Sequence, residues 1–338
     1  MKYFLLFSGI ELLTCLLGYS RRTGENNSWM SWNYTTAIKG ASMMTILWSH
    51  VGLGYGVSGI QFIGTVGISL FIIFSGFGVQ RSTESHGLKS YWRRRIVSVA
   101  IPYWLVEAIG LLITGRFTLK RYMLDFLFIE PAMGPGWFMQ YIMICYVIYY
   151  VFSLIYEKKQ TKQETIAGEI ALYGVFLVWL VIDSLYFASP SMPFLRARQM
   201  LCFPFGITIA KHREKIATMF DQPVLILAGG IIGLGFMAVT QLRAIKESPF
   251  LIQNILSLFT VFPLALAVLG LTKRWGELLD NRAWRVIGLV SFEVYLIHIF
   301  TLGLLKTSVA AMSLFLGVTA AGTYLLYLFR RELKKWLT

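Results

Sequence analysis

The chain has 338 residues, of which 56% are hydrophobic and only 14% charged, with a mean hydropathy of +0.63. Those values exclude a soluble globular domain and specify an all-α, polytopic integral membrane protein. The net charge of +14 does not mark a nucleic-acid binder, because the basic residues gather in alternate short loops, the pattern of the positive-inside rule.

At about 20 residues per crossing, the length holds about ten core transmembrane helices plus one possible extra N-terminal helix. Apolar runs fall at 3–19, 37–57, 59–80, 96–114, 136–156, 166–187, 195–210, 222–241, 249–272, 284–304 and 307–328. The first run could be a signal peptide, but it has no clear small-residue cleavage site, and an uncleaved extra helix is the better reading. Residues 1–34 are therefore read as an N-terminal hydrophobic segment and basic loop, 35–330 as the transmembrane domain, and 331–338 as a basic cytoplasmic tail.

The third run is followed by Arg81, Lys89, Arg93, Arg94 and Arg95. Later breaks carry Lys158, Lys159 and Lys162, then Lys211, Arg213 and Lys215, then Lys273, Arg274, Arg282 and Arg285, and the tail adds Arg330, Arg331, Lys334 and Lys335. Every second loop is basic and is expected in the cytoplasm, as is the C-terminus. Cys15, Cys145 and Cys202 lie in apolar runs as small hydrophobes, and neither a disulfide framework nor a metal site is expected. No Walker-type loop is present. His86 and His212 are expected to be solvated, and Asp183 to reach the interface. Glu107 is expected on the same cavity as the arginines.

His50 stands out, an imidazole inside the second run. A titratable group at membrane depth costs a few kcal/mol and usually faces a cavity or pathway. Lys39 precedes it by eleven residues, which is three turns plus about 20°, so both share one helix face roughly 16 Å apart along the axis. The alternative is a histidine that only bonds a neighbouring helix.

Several segments then occur in a telling order. Ile38-Lys39-Gly40 is followed by His50 and by Gly67-Ile-Ser-Leu-Phe-Ile-Ile-Phe-Ser-Gly-Phe77. Tyr91-Trp92-Arg93-Arg94-Arg95-Ile96 leads to Pro102-Tyr103, and then come Gly136-Trp137-Phe138 and Ser291-Phe-Glu-Val-Tyr-Leu-Ile-His298. Over residues 35 to 328 this series resembles the membrane acyltransferase-3 family. The family usually has arginine where this chain has Lys39, which keeps the charge and loses the bidentate fork.

The resemblance implies transfer of an acyl group, most often acetyl from acetyl-CoA, to a hydroxyl of a cell-envelope or exported glycan or lipid-linked sugar. It implies O-acetylation, a polysaccharide modification, at a bacterial inner membrane. No permanently bound cofactor is implied; acyl-CoA is the donor substrate, and the bilayer the other partner. A sugar hydroxyl needs a positioned base, so His50 is expected to be a general base or transient acyl carrier. Lys39, Arg93, Arg94 and Arg95 are expected to hold the donor phosphates, unless they are topology anchors.

Ser291, Tyr295 and His298 form one helical stripe, with Tyr295 and His298 expected to bind substrate. Glu293 lies about 140° from His298 and is grouped with the catalytic residues, to orient His50, line the acceptor path or pair with an arginine. Trp137 is expected to be a sugar-stacking platform, with an interfacial belt as the alternative. A glycan or anion transporter, or a non-catalytic acyl-CoA-binding sensor, remain as other readings of the same charges.

Overall fold

The computed structural model describes residues 1–19, 28–133, 136–156, 162–187, 196–276 and 281–337. Arg21, Arg22, Gly134, Pro135, Lys158 and Lys159 lie outside the described residues, as does the side chain of Lys162. The described residues are helical and contain no strand.

The N-terminal run forms α1 (Lys2–Gly18), whose Phe4 and Phe7 pack on Val51, Met312 and Phe315. Ser31 caps α2 (Trp32–Gly54) by accepting the Tyr34 N–H at 3.2 Å. Next come α3 (Gln61–His86) and α4 (Tyr91–Ile113), whose first turns are broken by a π-helical segment at Ile96–Ala100. Pro102 follows that segment and brings no N–H to the helix ladder, which accounts for irregular bonding just ahead of it. A short helix, α5 (Leu119–Phe126), is capped by Thr118 and precedes α6 (Gly136–Tyr156) and α7 (Lys162–Ile182).

The longer helices of the second half are α8 (Cys202–Lys211), α9 (Arg213–Phe220), α10 (Pro223–Val239), α11 (Phe250–Arg274), α12 (Arg282–Leu289), α13 (Ser291–Thr301) and α14 (Val309–Leu337). Asn281 caps α12, and its amide donates to the Cys15 carbonyl at 2.7 Å, tying down the end of α1. The expected tail at 331–338 is no separate segment over its described part, because α14 continues to Leu337.

Six described helices are long and apolar enough to cross a membrane, or up to eight if each of two bent pairs makes one span. The bent pairs are α9 with α10, at 80°, and α12 with the segment from Ser291 to Leu304, at 78°. Among the described residues, helix length and composition thus establish a multi-pass protein but not a count near ten.

Glycines bring the central helices into backbone contact. A Cβ on Gly40 would stand 1.8 Å from the Trp284 carbonyl oxygen, and one on Gly288 would stand 1.9 Å from that of Thr36. Gly76 and Gly206 do the same for α3 and α8. Small residues at such crossings are the usual way helices approach closely within a bilayer. Within α3, Gly64, Gly67 and Gly76 serve this purpose, whereas a Cβ on Gly78 would meet nothing within 4 Å.

Candidate active site

A cavity of about 550 Å³ lies between α2, α3, α4, α6, α12, α13 and α14. Lys39, Arg95, Arg330 and Lys334 line it and make its walls cationic. The π segment also contributes Ser98 and Val99 to the lining. Aromatic residues Phe138 and Tyr295 close part of the wall, with ring centroids 5.0 Å apart.

The expected basic triplet divides here. Arg95 reaches the cavity, its guanidinium 5.4 Å and 5.3 Å from the ring centres of Tyr91 and Tyr146, while its Nε and Nη2 are buried without an aligned acceptor among the described residues. Arg94 instead bonds Ser90 and the Gly87 carbonyl, Arg93 is exposed, and neither lines the cavity.

Two cations come instead from the C-terminal helix. Arg330 and Lys334 were legible only as loop or tail charges, yet they occupy one face of α14 four residues apart. A buried carboxylate requiring a partner was the available signal. Glu293 is 0% exposed, and Arg330 Nε lies 2.5 Å from its Oε1 as an ion pair, with neither carboxylate oxygen in an aligned hydrogen bond among the described residues. Of the roles open to Glu293, the structure shows the pairing with an arginine.

His50 lies four residues from the end of α2 and does not line the cationic cavity. Its Nδ1 is 2.8 Å from Nε2 of His298, and the two rings are nearly parallel, 11° apart. His298 is fully buried, with its Nδ1 2.9 Å from the Val294 carbonyl oxygen. A carbonyl only accepts, so His298 carries its hydrogen on Nδ1 and, when neutral, presents a bare Nε2. His50 must then donate from Nδ1, which leaves its own Nε2 with a lone pair. That is the arrangement of an oriented base: one nitrogen anchored, the other able to take a proton. Tyr295 links this pair to the cavity, since it lines the wall and its ring centroid is 5.8 Å from that of His298.

The remaining expectations fall elsewhere. Trp137 is half-buried and meets Phe138 edge-on at 6.0 Å, outside the cavity lining. Glu107 does not face the cavity but is buried close to Asp125, which accepts from Tyr103 Oη at 2.6 Å and from the Ala132 N–H at 3.0 Å. Burial pushes the Asp125 carboxyl above its ordinary range, against the lowering effect of those two bonds and of Arg121. Asp183 is buried and paired with Arg196 at 3.2 Å. His212 is not simply solvated, because Glu169 lies 2.9 Å from its Nε2. No group of three or more potential metal ligands occurs among the described residues.

No curated protein and no solved structure matches the chain. A family model described as an acyltransferase domain matches residues 32–331, which include the cationic cavity, both histidines and the Glu293–Arg330 pair. With its apolar helices and that match over most of its length, the chain belongs to the acyltransferase-3 family and is a multi-pass membrane acyltransferase.

Proposed function

We propose that this protein moves an acyl group, most simply acetyl, from cytoplasmic acyl-CoA to a hydroxyl of a cell-envelope or exported glycan. The observation that carries this reading is the pairing of an oriented imidazole, His50, with a separate cationic cavity. Lys39, Arg95, Arg330 and Lys334 suit the phosphates of the donor, since charge-assisted bonds to phosphate are the strong ones. Lys39 and His50 stand roughly 16 Å apart along α2, so the charged part of the donor stays at the basic end while its thioester reaches towards His50.

The acceptor hydroxyl loses its proton to Nε2 of His50 as its oxygen bonds the thioester carbonyl carbon. The carbon–sulfur bond then breaks, and the leaving thiolate takes that proton from the imidazolium. His298, accepting from Nδ1, holds the ring throughout. A transient acyl group on His50 is the second route by the same residue. The acetyl group and the glycan acceptor rest on the family resemblance. The basic loops support a C-terminus in the cytoplasm, and the bacterial inner membrane rests on the family resemblance.

The test uses the full chain in proteoliposomes with radiolabelled acetyl-CoA, wild type against His50→Ala. Label released from CoA by the wild type and not by the variant supports the reading. A properly inserted His50→Ala protein with full turnover would overturn it.

A further inference from the structure

Away from the cationic cavity, α7, α8, α9, α10 and α11 border a partly open groove of about 1070 Å³. Its walls are largely apolar, with Phe205, Phe259, Phe262 and Ile232 among them. One end is polar, and there His212 and Lys215 also line a second cavity of about 630 Å³. That second cavity is bounded by Lys211, Arg213 and Glu214. The 80° bend between α9 and α10 places the charged helix α9 across the end of the apolar space.

An apolar chamber opening into a small cationic chamber has the layout of an amphiphile with an anionic head. The charges agree. Lys211, Arg213 and Lys215 stand against Glu169 and Glu214, so among these five side chains three cations face two carboxylates, an excess of one. Glu169 is engaged by Lys211 at 3.7 Å and by His212 at 2.9 Å, and Arg213 also donates to the Trp29 carbonyl at 2.6 Å. A phosphodiester with one negative charge balances that excess.

We propose that these joined cavities hold one anionic glycerophospholipid of the bilayer, its phosphate beside Lys215 and Lys211 and its chains between α8, α10 and α11. Basic pockets between membrane helices on the cytoplasmic side are suited to such headgroups. The occupant is not the acyl acceptor, because neither chamber shares a lining residue with the cavity that reaches Tyr295. Its headgroup chamber does touch Trp29, just ahead of α2, so the lipid braces the helix that carries Lys39 and His50.

The experiment measures the thermal unfolding of the purified full chain in detergent titrated with phosphatidylglycerol or phosphatidylcholine. Phosphatidylglycerol should raise the melting temperature, with phosphatidylcholine giving a smaller rise. Lys215→Gln should weaken the half-saturating concentration about fivefold, from the attraction of one cation near a membrane surface. Ala228→Phe should fill the apolar chamber and abolish the preference, whereas Lys89→Gln, in a basic loop that lines neither cavity, should leave it intact. Equal responses in wild type, Lys215→Gln and Lys89→Gln would show general surface attraction and overturn the site. So would equal stabilisation of the wild type by both lipids. Lys215→Gln keeps the test decisive if Ala228→Phe does not fold.

Discussion

His298 Nε2 stands 2.8 Å from His50 Nδ1, and the His298 ring is itself fixed through Nδ1 by the Val294 carbonyl, so the orientation of one imidazole is set by the other. This divides the labour between them. His50→Ala should lower the rate of acyl transfer by about 10²- to 10⁴-fold, the range for loss of a positioned general base. His298→Ala should lower kcat and leave the KM for the donor unchanged, with His298→Gln recovering part of the rate through an amide oxygen that accepts from His50. Steady-state kinetics in proteoliposomes separates the two. A donor KM that rises with an unaltered kcat in His298→Ala would place His298 in binding instead.

Arg95 and Arg93 are two residues apart and differ in what they face. Loss of a charge-assisted bond removes about 1.5–3 kcal/mol, so Arg95→Gln should weaken donor binding by roughly tenfold or more. Arg93→Gln should stay near wild type. Binding of a labelled CoA analogue to the purified protein gives the comparison directly, and equal losses at both positions would mean the arginines act only as a diffuse field.

The buried Glu293–Arg330 pair predicts an asymmetric thermodynamic cycle. Removing one partner of a buried pair typically costs about 3–5 kcal/mol, because a charge is left stranded. Arg330→Gln should therefore lower the melting temperature sharply, and Glu293→Gln combined with Arg330→Gln should recover much of the loss. Glu293→Gln alone should also destabilise the protein, by leaving Lys39 and Arg330 facing each other without the carboxylate. Additive losses in the double variant would show that the two side chains do not interact.

Gly40→Ala tests the contact of α2 with α12. The added methyl has no room beside the Trp284 carbonyl, and overpacking of this kind costs about 1–3 kcal/mol. Gly174→Ala, where a Cβ meets nothing within 4 Å, is the control and should not lower the melting temperature. Similar losses at both sites would point to a general effect of alanine on helix insertion.

Asp125 predicts a pH dependence outside the membrane-spanning helices. Burial raises its carboxyl in the folded protein, so the folded chain holds the proton more tightly than the unfolded chain does. Stability is then lost as pH rises from the ordinary carboxylate value through the raised one. Asp125→Asn keeps an acceptor oxygen for Tyr103 and the Ala132 N–H while removing the titration. Melting temperatures across that window should fall less steeply in the variant, and parallel curves would rule out Asp125 as the titrating group.

The helices and the Lys39–His50 spacing were legible because both follow from local periodicity. The apolar run at 136–156 became α6 over the same residues, and that at 249–272 became α11 within two residues at each end. Contacts between distant segments have no such periodic signature. His298 looked like a substrate ligand because nothing local says that it meets a residue 248 positions earlier. Arg330 and Lys334 looked like tail charges for the same reason, although the buried Glu293 called for a cation. The pairing of Asp183 with Arg196 was not legible, because the two lie across a connection whose path the sequence does not specify.

The π segment at Ile96–Ala100 sets the rotational phase of α4. Its bonding pattern accommodates one residue more than an α-helix does over the same turn. The part of α4 that begins at Pro102 and carries Glu107 is thereby out of step with the part that carries Arg95. Deleting a single residue there would restore regular bonding and shorten the helix very little. It would also turn one half against the other by about 100°. Either Arg95 would leave the cavity, or Tyr103 would leave Asp125. A one-residue deletion in this turn is therefore a stricter constraint on the architecture than many substitutions within it.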